Sequence, residues 1–147
     1  MREAGESLAP LVPLVHGVDL VSCARLSRSV DRFGDRFLER VFTPDERAYA
    51  DASAKRRIEH LAARFAAKEA VLKALGTGWR HGIAWTDVEV VREASGRPSV
   101  RLHAEAARVA GSLGVAGWAL SLSHTSEAAI ASVIGWVAPD AVSASNA

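Results

Sequence analysis

Two acidic residues and one lysine occupy positions where they could bind a metal ion together with a phosphate group. Asp19 interrupts the branched apolar run LVHGVDLV at 14–21, which predicts a short buried strand. Glu69 and Lys73 are four residues apart in RFAAKEAVLKALG at 64–76, so both lie on one side of the predicted helix. Because an unpaired carboxylate is unfavourable in an apolar interior, Asp19 indicates either a cation site or a helix cap.

These side chains would suit metal-assisted phosphoryl transfer. Two carboxylates suit Mg²⁺, which takes few protein oxygens and completes its shell with water and substrate phosphate. A lysine one turn beyond a carboxylate suits a phosphate oxygen, and His124, at the end of a predicted strand, is a further candidate. Simpler interpretations stay open: Glu69 and Lys73 form a surface ion pair, or Asp19 caps the next helix, although Ser22 is better placed.

An α+β fold with a mainly antiparallel sheet and a long central helix must position these groups. The central helix carries apolar residues at the helical period and ends at Gly76, which tolerates positive φ. Strands without regular alternation with helices favour the α+β class. We expect strands at 14–21, 85–91, 99–103 and 118–124, and a central strand at 128–136. Further helices are expected at 23–41, 44 to about 51, and 104–113. The first of these should break near Gly34, and the second follows a TPDE capping box.

A basic stripe follows the first predicted helix. Its arginines are spaced i, i+3, i+7 and i+11: Arg25, Arg28, Arg32 and Arg36. The buried face beside it is predicted from Leu26, Val30, Phe33 and Phe37. Arginine favours bidentate contacts with anions, so the stripe either docks an acidic or phosphate-rich partner or is only a solvated face.

The composition is that of one folded domain. The 147 residues are 49% hydrophobic and 24% charged, and the net charge of +1 gives no indication of nucleic-acid binding. The single cysteine excludes an internal disulfide and suits a reducing cytoplasm. Neither a transmembrane run nor a signal peptide is expected, so no membrane association is predicted. We expect a flexible extension at 1–13, one domain at 14–137 and a flexible tail at 138–147.

Three motifs in the right order make a known family recognisable. GVD at 17–19, FAAKEAVLK at 65–73 and SLSH at 121–124 together resemble the holo-acyl-carrier-protein synthases, the small bacterial type of 4′-phosphopantetheinyl transferase. The resemblance runs from about 14 to 136 and includes FTPDE, GTG, WTDVEV and GRP. It implies transfer of the 4′-phosphopantetheine arm of coenzyme A to a serine of apo acyl carrier protein, with release of adenosine 3′,5′-bisphosphate.

The resemblance also implies roles for individual residues. Asp19 and Glu69 match the metal-binding acids that hold Mg²⁺, and Lys73 matches the lysine beside the coenzyme A diphosphate. Glu69, or a metal-bound water that it orients, is the candidate for taking the serine proton. Arg64 and His124 match positions that line the nucleotide pocket, where they could contact the 3′-phosphate. The glycine loop that begins at Gly76 would let backbone approach the coenzyme.

Partners follow from the same resemblance. The family docks the acidic helix of its carrier protein on its first helix, so Arg25, Arg28 and Arg32 become the expected docking residues. The family is typically a homotrimer with active sites at subunit interfaces. This sequence departs from the family at Val15, where a glycine is usual, and at the bulky segment 79–81, which would narrow or reshape the coenzyme mouth.

Two other functions stay open. A non-catalytic carrier-binding module on the same fold would need the arginines, but it would have no need of Asp19, Glu69 and Lys73. A different Mg²⁺-dependent nucleotide enzyme would need the acids, but it would have no use for the arginine stripe. The carrier protein served, whether in fatty acid, polyketide or peptide synthesis, is not encoded in these patterns.

Overall fold

The computed structural model describes residues 12–80 and 82–139 of the chain. Most of the predicted extension at 1–13 and tail at 138–147 therefore lies outside the described residues, as does position 81. The elements are β1 (Leu14–Ser22), α1 (Cys23–Val41), α2 (Pro44–Asp51), α3 (Arg57–Leu75), β2 (Val88–Arg92), β3 (Pro98–Leu102), α4 (Ala104–Ser112), β4 (Val115–His124) and β5 (Ala128–Val137), with 3-10 turns at Ala54–Arg56 and Trp85–Asp87. This order confirms the predicted α+β arrangement.

The prediction of a strand from position 85 was wrong at its start. Residues Trp85–Asp87 form a 3-10 turn instead, and β2 begins only at Val88. The Asp87 carboxylate accepts a hydrogen bond from the Ala84 N–H at 3.1 Å, and the Asp87 N–H donates to the Ala84 carbonyl at 3.0 Å. These two bonds close a turn, because a short acidic side chain competes with strand pairing for backbone donors.

The strands form two antiparallel sheets. One has the order β1-β5-β4 and the other pairs β2 with β3. The nearly wholly apolar β5 is the central strand of the larger sheet, as its composition predicted. Val15, where the family usually has glycine, pairs with Gly135, and a Cβ at Gly135 would lie 2.8 Å from Val15 Cγ2. A glycine on β5 therefore accommodates the valine on β1.

Helix α3 packs across one face of the larger sheet and forms the centre of the core. Its alanines 62, 63, 66, 67 and 70 are at most 3% exposed, and small side chains let the sheet approach the helix closely. The helix ends as predicted at Gly76, whose φ of 74° lies in the left-handed region. This packing brings β1, with Asp19, alongside the helix that carries Glu69.

A buried ion pair locks α3 to its other neighbours. Lys68 Nζ lies 2.9 Å from Glu46 Oε2 with both side chains fully buried, and it also donates to the carbonyls of Trp85 at 3.2 Å and Val88. Glu46 also accepts from the Val90 N–H at 2.8 Å. Burial lowers the pKa of Lys68, and the Glu46 carboxylate opposes that effect. The network joins α2, α3 and β2, so α3 has little freedom to shift.

Helix α1 is kinked, which overturns one predicted core residue. Gly34 has φ 59° and ψ −141°, values outside the helical region, and Phe33 is 54% exposed rather than buried. The kink changes the direction of the helix: Leu26, Leu38 and Val41 are buried with Cys23, and the predicted core residues Val30 and Phe37 are partly buried against the same cluster. Phe33 consequently lies on the surface beside Arg32, whose Cζ is 5.1 Å from the ring centroid.

The outer face of the larger sheet is largely apolar and is uncovered in the single chain. Alternate residues of β1 and their partners on β5 project from it; the large apolar ones have exposures between 39% and 67%, and the polar pair His16 and Ser132 lies among them. We call this surface the sheet face, and its large apolar members are Leu14, Val18, Leu20, Ile130, Ile134 and Trp136. None of the helices in the described ranges combines the length and the apolar composition that a bilayer span requires.

Candidate active site

Asp19 and Glu69 line one cleft with a volume of about 430 Å³. Asp19 comes from β1, Glu69 from the middle of α3, and Arg25 from the first turns of α1. Phe65, one turn before Glu69, contributes an aromatic wall. The structure therefore brings the two predicted acids together across an interface between three elements, in what we call the acidic cleft.

Lys73 pairs with Asp19 and not with its helical neighbour Glu69. Lys73 Nζ lies 2.9 Å from Asp19 Oδ1 and donates to the Val18 carbonyl at 3.0 Å. The simpler interpretation of a Glu69–Lys73 surface pair is therefore wrong. The lysine side chain is 55% exposed, so it can reach an incoming anion at the edge of the acidic cleft.

Asp19 does not cap the following helix. Ser22 does so, because its hydroxyl accepts a hydrogen bond from the Arg25 N–H at 3.3 Å. The Asp19 side chain is only 18% exposed, and Lys73 partners one of its oxygens. The carboxylate in the strand thus serves the acidic cleft and not the local backbone.

Glu69 is held by the loop that follows its own helix. Its Oε1 accepts a hydrogen bond from Trp79 Nε1 at 3.3 Å. Burial raises the pKa of Glu69, and the negative charge of Asp19 raises it further. The hydrogen bond from Trp79 and the positive charge of Lys73 act in the opposite direction and lower this pKa. The Asp19 carboxylate is therefore close enough to Glu69 to disfavour the charged form of Glu69.

This donor set fits Mg²⁺. Two carboxylates that repel each other inside one cleft are stabilised when a divalent cation lies between them. Among the described residues, no group of three or more histidine, cysteine, aspartate or glutamate side chains could hold a metal ion. Mg²⁺ does not need such a group, because it commonly binds one or two carboxylates and fills its octahedral shell with water and phosphate oxygens.

A second cavity, of about 240 Å³, contains the two residues that were predicted to line the nucleotide pocket. Arg64 and His124 both line it, together with Tyr49, His60 and Arg92, and we call it the basic pocket. The Arg64 guanidinium is 3.9 Å from the Tyr49 ring centroid, and that of Arg92 is 5.1 Å from the same ring. Tyr49 thus holds two cations at one pocket through cation–π contacts.

The basic pocket is lined by residues with buried polar atoms that lack a hydrogen-bond partner among the described residues. Arg64 is only 5% exposed, yet its Nε has no hydrogen-bond partner among the described residues, and the same is true of the buried His60 Nδ1. Burial lowers the pKa of His60, and the charges of Arg64 and His124 lower it further. His124 Nδ1 lies 3.2 Å from Glu59 Oε2. The unpartnered Nε–H of Arg64, beside the two guanidinium groups of Arg64 and Arg92, makes the basic pocket suitable for an anionic ligand.

The arginine stripe begins at the acidic cleft. Arg25, Arg28 and Arg32 are all exposed, and we call them the arginine face. Arg25 lines the acidic cleft and also an adjoining groove that contains Arg28, Arg32 and Phe33. A partner bound along this face would therefore have its nearest end beside Asp19 and Glu69.

Sequence reasoning missed part of this arrangement. His60 is one turn before Arg64, so helical spacing could have revealed it. Tyr49 and Arg92 come from α2 and β2, and no local pattern connects them to α3. Gly76, a predicted coenzyme contact, ends α3 and lines neither the acidic cleft nor the basic pocket.

Comparison with known proteins gives one consistent answer. The sequence profile of the 4′-phosphopantetheinyl transferase superfamily matches residues 16–131. The holo-[acyl-carrier-protein] synthase of Solibacter usitatus is 51% identical over 118 residues, which cover 80% of this chain and 94% of that protein. The crystal structure of the corresponding synthase from Neisseria meningitidis has a TM-score of 0.74 and 31% identity, covering 82% of this chain and 96% of that one. The Helicobacter pylori synthase in complex with coenzyme A has a TM-score of 0.71 and 31% identity over 82% and 98% of the two chains.

Proposed function

This chain belongs to the 4′-phosphopantetheinyl transferase superfamily, and we propose on that premise that it is a holo-[acyl-carrier-protein] synthase. It transfers the 4′-phosphopantetheine group of coenzyme A to a serine of apo acyl carrier protein and releases adenosine 3′,5′-bisphosphate. The observation that carries this proposal is the continuity between the acidic cleft and the arginine face through Arg25. The residues proposed for phosphoryl transfer, Asp19 and Glu69, therefore lie on the same surface as the arginine face, which could dock an acidic protein.

In the proposed reaction, the carrier serine attacks the phosphorus that bears the pantetheine arm. A bond forms from serine Oγ to this phosphorus, and the bond from phosphorus to the bridging diphosphate oxygen breaks. The electron pair of that bond leaves with adenosine 3′,5′-bisphosphate. Glu69 takes the serine proton, and Lys73, at the mouth of the acidic cleft, neutralises charge that develops on the leaving phosphate.

Asp19 and Glu69 are the residues that would hold Mg²⁺. When bound, the ion would polarise the diphosphate oxygens and offset their negative charge. Before the substrate enters, Lys73 compensates the charge of Asp19 at 2.9 Å, so Asp19 does not stand as an unpaired partly buried carboxylate. The exposed lysine then has a second role, because the incoming diphosphate offers it another anionic partner.

The basic pocket is proposed to bind the nucleotide end of coenzyme A. Arg64 and His124, the two residues expected from the sequence, lie there with Tyr49, His60 and Arg92. The unpartnered Nε of Arg64 is a donor suited to a phosphate oxygen. Arg64 and Glu69 are five residues apart on α3, which is about 7.5 Å along the helix axis and about 140° around it, so the basic pocket and the acidic cleft lie on different sides of the helix.

The arginine face is proposed to dock the acidic carrier protein. Its three arginines are exposed, and Phe33, exposed because of the Gly34 kink, adds an apolar contact beside them. Charges at such a rim steer association and set its salt dependence. The proposed domain covers 14–137, and the lone cysteine suits the reducing conditions of a cytoplasmic location.

We further propose that the sheet face mediates assembly into a homotrimer. Six large apolar side chains with exposures of 39% to 67% project from one continuous sheet surface. An exposed apolar surface of this size, even with the polar pair His16 and Ser132 inside it, commonly marks a protein interface. Leu20 belongs to the sheet face and also lines the acidic cleft, so a neighbouring subunit on that face would lie next to the active site.

Intact-mass spectrometry of an apo acyl carrier protein tests the proposed reaction. The carrier is incubated with this protein, coenzyme A and Mg²⁺, with and without a chelator. We expect a mass gain equal to one phosphopantetheine group on the carrier serine, and we expect the chelator to prevent it. Carrier binding without a mass gain, across several carriers and with coenzyme A bound, would support the non-catalytic module instead.

A further inference from the structure

Trp79 reaches back from the loop after α3 to the carboxylate of Glu69. The loop reverses direction through two glycines in the left-handed region, Gly76 with φ 74° and Gly78 with φ 55°. As a result the indole N–H of Trp79 lies 3.3 Å from Glu69 Oε1, although the two residues are ten positions apart. Among the described residues, it is the one side chain seen to donate a hydrogen bond to this carboxylate.

The Trp79 ring is itself held in place by other aromatic rings. It packs against Trp85 with ring centroids 3.3 Å apart, and Trp85 stacks on Phe65 at 4.8 Å. Phe65 lines the acidic cleft one turn before Glu69. Trp79 is half-buried and contacts the main hydrophobic core. The direction of its N–H is therefore set by packing and not by the loop alone.

We propose that Trp79 is a positioning residue for Glu69, an inference that rests on the proposed function of the acidic cleft. The indole N–H binds Oε1 and restricts rotation of the carboxylate, so that Oε2 is presented in one orientation to Mg²⁺ or to the carrier serine. Hydrogen-bond donors behind metal-binding carboxylates act in this way in other proteins, where their loss reduces metal affinity or activity by about 10- to 100-fold.

The contact also accounts for the bulky segment that distinguishes this sequence from the family pattern. A small residue at position 79 could not reach the carboxylate of Glu69. The large side chain does not simply fill the mouth of the coenzyme site, because its ring packs on the core and its polar atom is directed at Glu69. Trp79 thus supports the acidic cleft from the side of the loop.

Trp79→Phe tests this inference, with Trp85→Phe as the matched control. Each change shortens one ring of the same aromatic stack, but only the first removes the N–H that Glu69 accepts. For Trp79→Phe we expect kcat to fall about tenfold and the Mg²⁺ concentration for half-maximal rate to rise several-fold, while KM for coenzyme A changes less than about twofold. Trp85→Phe keeps an aromatic ring against Trp79 and leaves the indole N–H in place, so its kcat and Mg²⁺ dependence should change clearly less than those of Trp79→Phe.

A purely structural role for Trp79 would give a different outcome. Both variants would then lose thermal stability to a similar extent, and the kcat of the folded fraction and its Mg²⁺ dependence would stay within about twofold of the unaltered protein. Titration with adenosine 3′,5′-bisphosphate gives the fraction of competent sites, so a folding defect appears in the stoichiometry. Unchanged Mg²⁺ dependence in Trp79→Phe, or an equal loss in Trp85→Phe, would overturn the proposal.

Direct metal binding separates this inference from the proposed function. Calorimetric titration with Mg²⁺ in the presence of adenosine 3′,5′-bisphosphate needs no carrier protein and no turnover. We expect Trp79→Phe to bind Mg²⁺ about tenfold more weakly than Trp85→Phe. If the unaltered protein transfers nothing to any carrier but this difference is seen, the proposed reaction fails and the positioning role stands. If the unaltered protein transfers the group but Trp79→Phe and Trp85→Phe bind Mg²⁺ equally well, the proposed reaction stands and the positioning role of Trp79 fails.

Discussion

Gly17 lies directly against the carbonyl of Ala70: a Cβ atom at position 17 would be 1.8 Å from the Ala70 oxygen and 2.9 Å from the Ala74 nitrogen. β1 and α3 therefore meet backbone to backbone at this point. Gly17 is two residues before Asp19, and Ala70 directly follows Glu69. Because β1 and α3 touch here, this contact limits the distance between the carboxylates of Asp19 and Glu69.

Gly17→Ala should separate β1 from α3. The added methyl group has no space, so we expect the free energy of unfolding to fall by about 1–3 kcal/mol, as for other overpacked cores. Transfer activity should fall further than stability alone explains, because Asp19 moves relative to Glu69. Urea unfolding and the rate of holo-carrier formation measure the two effects.

Gly111→Ala is the matched control for this change. Gly111 lies on the exposed side of α4, and a Cβ there would meet nothing within 4 Å. Because alanine favours the helix, we expect stability to rise by about 0.5–1 kcal/mol with activity unchanged. Equal tolerance of alanine at positions 17 and 111 would show that β1 can move away from α3 without consequence.

Glu69→Gln should abolish transfer while preserving the fold. The change is nearly isosteric, and glutamine can still accept the Trp79 hydrogen bond, but it can neither take a proton nor offer a charged ligand to a cation. We expect the rate of holo-carrier formation to fall by at least about a hundredfold, with little change in melting temperature. The exposed Glu93→Gln is the control, and full activity in Glu69→Gln would remove Glu69 from the site.

Arg28→Glu should impair modification of the carrier protein without affecting coenzyme A binding. The change reverses a charge at the centre of the arginine face and would repel an acidic helix. We expect kcat/KM for the carrier to fall at least about tenfold, with a weaker dependence on salt. Arg101→Glu, an exposed arginine on β3, is the matched control. If both variants behave alike, the arginine face is only a solvated surface.

Ile134→Lys should dissociate the proposed trimer. The residue is 39% exposed and lies on central strand β5 within the sheet face, opposite His16 of β1. Burying a lysine there without a partner is unfavourable, so we expect monomers by sedimentation and a parallel loss of activity. Leu113→Lys is the control, because Leu113 is 43% exposed but lies outside the sheet face. A protein that is already monomeric before mutation would contradict the assembly proposal.

Much of the fold and part of the site were accessible from local patterns. The Thr43 cap predicted the start of α2, and Gly76 predicted the end of α3, because capping and positive φ depend on a few neighbouring residues. The apolar composition of β5 predicted its central place. The motifs around Asp19 and Glu69 identified both acids, since each lies in a short segment with a distinctive pattern.

Other features required contacts between segments far apart in the chain. Lys73 is equally near Glu69 in any α-helix, and only the approach of β1 gives it Asp19 as a partner. The kink at Gly34 exposes Phe33, which periodicity alone placed in the core. Two other elements supply the residues of the basic pocket that no local pattern connects to α3: Tyr49 comes from α2 and Arg92 from β2.

The sequence by itself therefore predicted which elements form and most of their ends, because capping and periodicity depend on interactions within a few residues, and it singled out Asp19 and Glu69 as candidate site acids. Tertiary structure decided which charges pair, which aromatic rings are exposed, and that Trp79 binds Glu69. Those outcomes depend on how closely separate elements approach, and at the contact between Gly17 and Ala70 that approach is set by the absence of a single methyl group.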